Sequence, residues 1–391
     1  MPKERINSGV DRRTLVVNAG STSVKISLLD KDDNVVLVKS IGPSDEHLVD
    51  HLREFLKDAG PIDMVGHRIV HGGPQFTTAT EVTRDVRNAL GELSELAPLH
   101  NPPGLAGIDA VNLLLPNVPQ VACFDTSFHV TLSPEVKTYA IPTAWEREWG
   151  IRRYGFHGLS CAWAAPRTAE ILGRSTEGLR LVICHLGGGA SATAVVSGKS
   201  VDTTMGFTPM EGLVMGTRPG DLDVGALLWA LGHGLSVAEA SETLEFRSGL
   251  YGLSGKRSGD LPELFHARDS GDELAKLAIA VYLHRLRAKI AAMAAASSGI
   301  DALVFTGGVG EHSELIRKEA CTEMKWLGIE IDENANNTVS EDDGDISTPG
   351  AQVRTLVIHA REEIQIAREC RQLLADVGNR TMSSSSQHER L

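Results

Sequence analysis

Residues 15–29 read LVVNAGSTSVKISLL, and the rest of the chain is best understood outward from them. Leu15, Val16 and Val17 form an apolar run that predicts a buried strand. Asn18-Ala19-Gly20-Ser21-Thr22-Ser23 predicts a tight polar turn, and Val24 to Leu29 an alternating strand coming back. Gly20 permits a backbone that larger residues resist, hydroxyls and an amide crowd beside it, and Lys25 adds a cation just inside the second strand. This combination suits a phosphoryl group. Backbone N–H groups with the Ser21 or Ser23 hydroxyls can donate to phosphate oxygens, Lys25 can offset their charge, and Asn18 can orient metal-bound water. A plain hairpin turn whose serines bond their own backbone has the same composition, so other stretches must decide.

The plan returns at residues 181–201, LVICHLGGGASATAVVSGKSV: an apolar strand, a glycine turn, a returning strand and a further turn. Each hairpin is later followed by a strand ending in a polar site. Val121-Ala122-Cys123-Phe124 runs into Asp125, and Ala302-Leu303-Val304-Phe305 runs into Thr306-Gly307-Gly308-Val309-Gly310. The repeat predicts an internal duplication, two α/β halves facing one another across a cleft. Helical spacing of Leu274, Leu277, Ala278, Val281, Ile290 and Met293 marks a core stripe within residues 272–297. A last amphipathic helix, from Glu362 to about Leu374, is expected to return to the first half. The expected division is 14–149 with 363–378, then 150–362, then an unstructured tail over 379–391.

Composition narrows the function. A chain of 391 residues, 42% hydrophobic and 23% charged, is ordinary for a globular enzyme of two or three domains. A net charge of −13 repels a nucleic-acid backbone, so an anionic substrate must be met by local cations. The N-terminal MPKERINSGVDRR has no apolar h-region, and no segment has the apolar length of a membrane helix, so a cytoplasmic location is expected. Five cysteines without a CxxC pair read as buried reduced thiols.

Several further motifs carry chemistry. In GHRIVHGG, residues 66–73, a strand ends in glycines with Arg68 on one face; His67 and His71 have a metal-like spacing but lack a third ligand. APLHNPP at 97–103 is a proline-fixed turn. RRYGFHG at 152–158 gathers cations and a histidine before a helix, and MEGLVMGTRPGD at 210–221 puts Arg218 in a glycine-rich loop. Gly255-Lys256 and Gly198-Lys199-Ser200 fail the Walker A spacing. Residues 308–313, GVGEHS, read as a glycine loop leading to a helix N-terminus capped by Ser313.

Together NAGSTSVK, GHRIVHGG, APLHNPP, FDTSFH, RRYGFHG, HLGGGAS, MGFTPMEGLVMGTR and FTGGVGEHS resemble the acetate kinase family, in order and spacing, over residues 14–374. The resemblance implies the duplicated actin, Hsp70 and sugar kinase fold (ribonuclease H-like), ATP and ADP as substrates, and Mg²⁺, with Mn²⁺ as an alternative. It also implies acetate or another short-chain carboxylate as acceptor and a homodimer built through the second domain.

By resemblance, Asn18, Ser21, Ser23 and Lys25 match the first phosphate and metal loop, with Glu362 as the magnesium-linked glutamate. Arg68 matches the substrate arginine, and Val70, Leu99, Phe156 and Pro209 the pocket for the acetate methyl. Asp125 matches the active-site aspartate, and His157 and Arg218 the groups that stabilise the transferring phosphoryl. His185, Leu186, Gly187, Gly188 and Gly189 match the second phosphate loop; Gly308, Val309, Gly310, Glu311 and His312 the adenosine loop; and Asp260, Leu261 and Pro262 the adenine side.

The chain departs from the family's pattern at Gly188 (usually Asn), Pro262 (Arg), Leu159 (Thr), Cys161 (His) and Arg361 (Asn), all expected near the nucleotide. The alternatives are therefore a propionate or other short-chain acyl kinase, a kinase using pyrophosphate or another nucleotide, and a weakly catalytic binding module.

Overall fold

The computed structural model describes residues 12–20, 23–42, 47–339 and 342–388, with side chains to 375; Ser21 lies outside the described residues. The chain divides into two compact units, Met1–Ser127 with Glu362–Leu391, and Phe128–Arg361. The division falls earlier than the 149/150 boundary expected from sequence, because the segment after Ser127 is tied to later residues. The His129 ring bonds Ser200 Oγ and Phe156 O, and Thr131 Oγ1 donates to Ser200 O at 2.7 Å. Glu362 belongs to the first unit rather than the second.

The first unit holds β1 (Thr14–Ala19), β2 (Val24–Leu29), β3 (Val35–Ile41), β4 (Met64–Ile69), β5 (Thr80–Glu81) and β6 (Gln120–Phe124) in the order β3-β2-β1-β4-β6-β5. The hairpin read from residues 15–29 forms, with Thr14 opposite Leu29 and Asn18 opposite Lys25, and Gly20 N–H closes the turn on Ser23 O at 2.8 Å. Strands β1, β4 and β6 run parallel. Both faces of this sheet are covered, which is why Leu15, Val16 and Val17 are all apolar and all buried. One face packs Leu15, Val17, Ile26 and Leu28 on Leu52 and Phe55 of the helix Leu48–Ala59 and on Val111 of α1 (Asn101–Leu114).

On this unit the C-terminal helix, Glu362–His388, lies against β1, β4 and β6, as expected of a returning helix. Its approach requires Gly66, where a Cβ would stand 2.4 Å from Ile366 Cγ2 and 2.7 Å from Cys370 Sγ. The helix runs on to His388, so residues 379–388, expected to be unstructured, are helical. A polar serine run does not by itself end a helix, and neither proline nor glycine follows Gly378.

The second unit repeats the sheet with β7 (Arg180–Leu186), β8 (Ala190–Val196), β9 (Lys199–Thr203), β10 (Ala302–Thr306), β11 (Gly344–Asp345) and β12 (Arg354–Val357), in the order β9-β8-β7-β10-β12-β11. Every pairing keeps its direction: β7–β8 and β8–β9 antiparallel, β7–β10 and β10–β12 parallel, β11–β12 antiparallel. The duplication is therefore real, but the expected partners were offset by one strand. The counterpart of β10 is β4, and the counterpart of β6 is the four-residue β12, too short to show a period.

Helix α2 (Gly158–Ile171) packs Cys161, Ala164 and Ala165 on Leu181, Ile183, Val304 and Leu356. After it come α3 (Val224–Gly232), α4 (Val237–Phe246), α5 (Leu261–Asp269) and α6 (Glu273–Ala296). The buried stripe of α6 is Ala275, Ala278, Ile279, Tyr282, Leu283, Leu286, Ile290 and Met293. Leu274 and Leu277, expected in the core, are 51% and 52% exposed. They sit on the neighbouring face, a displacement that apolar spacing alone does not resolve because α6 is apolar over more than one stripe. Among the described residues no helix is long and apolar enough to cross a membrane.

Candidate active site

In the first unit the candidate residues gather at the C-terminal ends of β1, β4 and β6 and at the start of the C-terminal helix. Arg68, one residue before the end of β4, holds Asp125 with two bonds, Nε to Oδ1 at 3.0 Å and Nη2 to Oδ2 at 2.6 Å. Its Nη1 donates to Ala19 O at 3.1 Å, and Glu362 Oε2 lies 4.0 Å from Nε. Burial works against the guanidinium charge, but Asp125 and Glu362 outweigh it and hold the Arg68 pKa above its ordinary value. Asn18 Nδ2 donates to Glu362 Oε2 at 2.8 Å, and Lys25 Nζ meets Glu363 Oε1 at 3.2 Å. The sequence singled out Lys25 but not Glu363, which lies 338 positions away.

The loop after β4 is held from below by Asn101, whose Oδ1 accepts from His71 N–H at 3.0 Å and whose Nδ2 donates to His71 O at 3.1 Å. This gives the proline-fixed turn a second purpose that spacing did not reveal. Val70 is buried there, whereas Leu99 is 46% exposed. The two histidines of GHRIVHGG serve the fold. His67 bonds Gln120 Oε1 at 2.8 Å and is pushed down to about 4 by burial, and His71 Nδ1 accepts from Gly73 N–H at 2.9 Å.

In the second unit, the turn between β7 and β8 carries Gly187, Gly188 and Gly189, with Leu186 buried and Gly188 exposed. His185, on β7, shares a hydrogen bond with Ser160 Oγ at 2.9 Å. His157 precedes α2 in a left-handed conformation, φ +57°, and its Nδ1 is 2.9 Å from Ser191 Oγ. The His157 and His185 rings stack with centroids 4.2 Å apart. A Cβ on Gly189 would lie 3.0 Å from Arg218 Nη2 and 3.3 Å from His157 Nε2, so the glycine turn, the histidine and the arginine converge on one point.

Arg218 is 7% exposed, and among the described residues its side chain donates one hydrogen bond, from Nη1 to Pro209 O at 2.6 Å. Burial pushes its pKa below the ordinary arginine value, opposed only in part by Glu245. A desolvated guanidinium with donors to spare, beside a glycine turn, has the chemistry that suits an anion.

Other expected nucleotide residues take different parts. Residues 308–312, expected as a loop, belong to the helical turn α7 (Gly307–His312). Glu311 Oε1 accepts from the N–H groups of Gly307 and Ala360, each at 2.8 Å, so this carboxylate holds backbone together. Buried Arg317 on α8 (Glu314–Thr322) donates to the carbonyls of Gly310 and Glu311 at 2.9 and 2.7 Å. Ser313 caps the helix that follows, α8, as expected: its Oγ accepts from Ile316 N–H at 3.3 Å. Asp260, Leu261 and Pro262 open α5, with Leu261 buried and the other two exposed. Of the departures from the family pattern, Leu159 and Cys161 are fully buried in α2, so those two are matters of packing rather than of a ligand.

The first unit thus offers hard oxygen donors at Asn18, Asp125 and Glu362. Among the described residues no three His, Cys, Asp or Glu side chains are grouped to cage a metal. The donor set suits a divalent ion that keeps most of its water and needs only one or two protein carboxylates.

The Acetokinase family model matches residues 43–368. The acetate kinase of Thermotoga maritima is 42% identical, over 94% of this chain and 100% of its own length. The crystal structure of Porphyromonas gingivalis acetate kinase aligns with a TM-score of 0.84 at 38% identity, covering 93% of this chain and 100% of that one. A propionate kinase from Francisella tularensis aligns with the same TM-score at 35% identity, covering 92% and 99%.

Proposed function

Because the chain belongs to the Acetokinase family, we propose that it catalyses the Mg²⁺-dependent, reversible transfer of the γ-phosphoryl group of ATP to acetate, giving acetyl phosphate and ADP. The observation that supports this reading most strongly is Arg218, a buried cation with no carboxylate in contact among the described residues, set beside His157 and the Gly187–Gly189 turn. Acetate has a carboxyl pKa near 4 to 5, so at neutral pH the nucleophile is already ionised and needs no base. Its oxygen attacks the γ-phosphorus while the bond to the bridging oxygen breaks, and the electron pair leaves with ADP.

Such a reaction needs cations, because a carboxylate must approach a phosphate and charge accumulates on the equatorial oxygens. Arg218 and His157 are assigned to those oxygens. Arg68 is assigned to the carboxylate. Three of its five N–H donors are engaged by Asp125 and Ala19, which leaves two for a ligand. Asn18 and Glu362 are the residues that would hold magnesium, with Asp125 in its outer shell; the ion would supply positive charge to the phosphate oxygens.

The test is acyl phosphate formation, trapped as the hydroxamate, for acetate, propionate and butyrate against ATP, GTP and pyrophosphate. Saturable turnover with acetate and ATP is the expected result. Turnover confined to another donor would place exposed Gly188 and Pro262 at the centre of the function, and none with any pair would overturn the reading. Propionate remains the second acceptor because one structural neighbour is a propionate kinase. One methylene is worth only about 1 to 3 kcal/mol of discrimination.

We also propose a homodimer formed through the second unit. Helix α3, VGALLWALG, has no buried residue, and Val224, Leu228, Trp229, Val237 and Phe246 are exposed together with Leu274 and Leu277. An apolar helix left uncovered is expected to be buried by a partner. Light scattering should give twice the chain mass for the native protein and a single mass for Trp229→Glu; a single mass for both would refute the dimer.

A further inference from the structure

His157 is a non-glycine residue held at φ +57° and ψ 25°, a left-handed conformation that a β-carbon disfavours. Something around it must hold it there. The two residues before Phe156 are tied to Gly206 O, by Tyr154 N–H at 3.0 Å and Gly155 N–H at 3.3 Å. Phe156 itself is fixed through its carbonyl by His129, whose Nε2 is 2.9 Å away.

The other nitrogen of that ring, Nδ1, is 2.9 Å from Ser200 Oγ on β9. A carbonyl can only accept, so Nε2 carries the proton and Nδ1 accepts from the serine hydroxyl. Both ring nitrogens are therefore engaged by fixed partners. Burial, with Arg153 adding to it, pushes the His129 pKa down to about 4, so the ring is neutral at working pH. The fit is tight. A Cβ on Gly155 would come 2.6 Å from His129 Cγ, and Gly155 itself has φ +77°. The neighbouring Thr131 fastens the same turn to Ser200 O at 2.7 Å. His129 is 1% exposed and meets no solvent-facing surface, so it is not placed to touch substrate.

Resting on the assignment of His157 to the phosphoryl group, we propose that His129 is a positioning residue: through Phe156 O it holds the left-handed backbone that presents the His157 ring beside Arg218 and Gly189. The arrangement is a relay from β9 through Ser200 and His129 to the peptide preceding His157. A misplaced catalytic group costs rate rather than affinity, so the signature is in kcat.

The test is steady-state kinetics on His129→Ala, His129→Gln and His129→Asn, each made in the native and His157→Ala backgrounds, with the folded fraction measured alongside. We expect His129→Ala to lower kcat by about 10- to 100-fold with KM for acetate nearly unchanged. His129→Gln, whose amide nitrogen reaches the position of Nε2, should recover more of kcat than His129→Asn. In the His157→Ala background, His129→Ala should cause no further loss. If His129→Ala does not fold, the Gln and Asn pair carries the same comparison. An equal fold-loss in both backgrounds, or a loss of folded protein with normal kcat per folded site, overturns the proposal and leaves the function standing. Full kcat in His157→Ala alone removes the assignment on which the proposal rests, and the proposal with it.

Discussion

Arg68 is half-buried at the end of a sheet strand and Arg218 is buried beside the turn between two others, yet their surroundings differ. In the first unit Arg68 is paired through two bonds with Asp125 and flanked by Glu362, and Lys25 is paired with Glu363. In the second unit Arg218 has one carbonyl acceptor among the described residues, and burial depresses its pKa. The same strand order and directions thus frame a set of paired charges in one unit and a desolvated cation in the other. The difference teaches that duplication of a scaffold leaves each copy free to hold charge differently; on the proposed function, the desolvated cation of the second unit is the one assigned to the transferring phosphoryl group.

The largest effect should come from breaking the paired unit. Asp125→Ala leaves Arg68, whose side chain is 11% exposed, without its main counter-charge, which is expected to destabilise the fold by about 3 to 5 kcal/mol. Urea denaturation would show this as a lower midpoint at unchanged slope; a midpoint equal to the native one would mean the pair is not the electrostatic centre of that unit.

Acid should act on both units alike. His67 in the first and His129 in the second are each pushed down from 6.5 to about 4 by burial. The unfolded chain therefore binds protons that the folded chain refuses between those values. Stability is full above pH 6.5 and falls as pH drops towards 4, by roughly 3 kcal/mol for each histidine. Denaturation midpoints at pH 7 and pH 4.5 should separate strongly, and His67→Gln should narrow the gap; equal gaps would show that burial is not what holds His67 neutral.

A smaller effect isolates the packing of the first unit from its charges. Gly66→Ala forces a methyl against Ile366 and Cys370, with an expected loss of about 1 to 3 kcal/mol and a lower Tm. An unchanged Tm would mean the C-terminal helix is free to shift.

Much of this was legible in the chain. The hairpins at residues 14–29 and 180–196 follow from apolar runs meeting glycine turns, which are local signals. Arg68, Asp125, His157 and Arg218 were each ambiguous in isolation and took their expected roles from the family resemblance. What the sequence hid was partnership. Glu363, Asn101 and Ser191 matter through residues far away in the chain, and His129 matters through a backbone carbonyl. The offset between β10 and its true counterpart β4 arose because a four-residue strand carries no period. Leu274 and Leu277 were misread because spacing reports an apolar face without saying what covers it.

The most direct measurement is Arg218→Met, assayed for kcat by hydroxamate trapping and for Tm in the same preparation. Replacing a desolvated cation that Glu245 compensates only in part with an apolar side chain of similar length is expected to keep or raise Tm. It should lower kcat by about 10²- to 10³-fold, the scale of losing one electrostatic donor to the transition state. A variant that kept its turnover, or lost turnover and Tm together, would contradict the account.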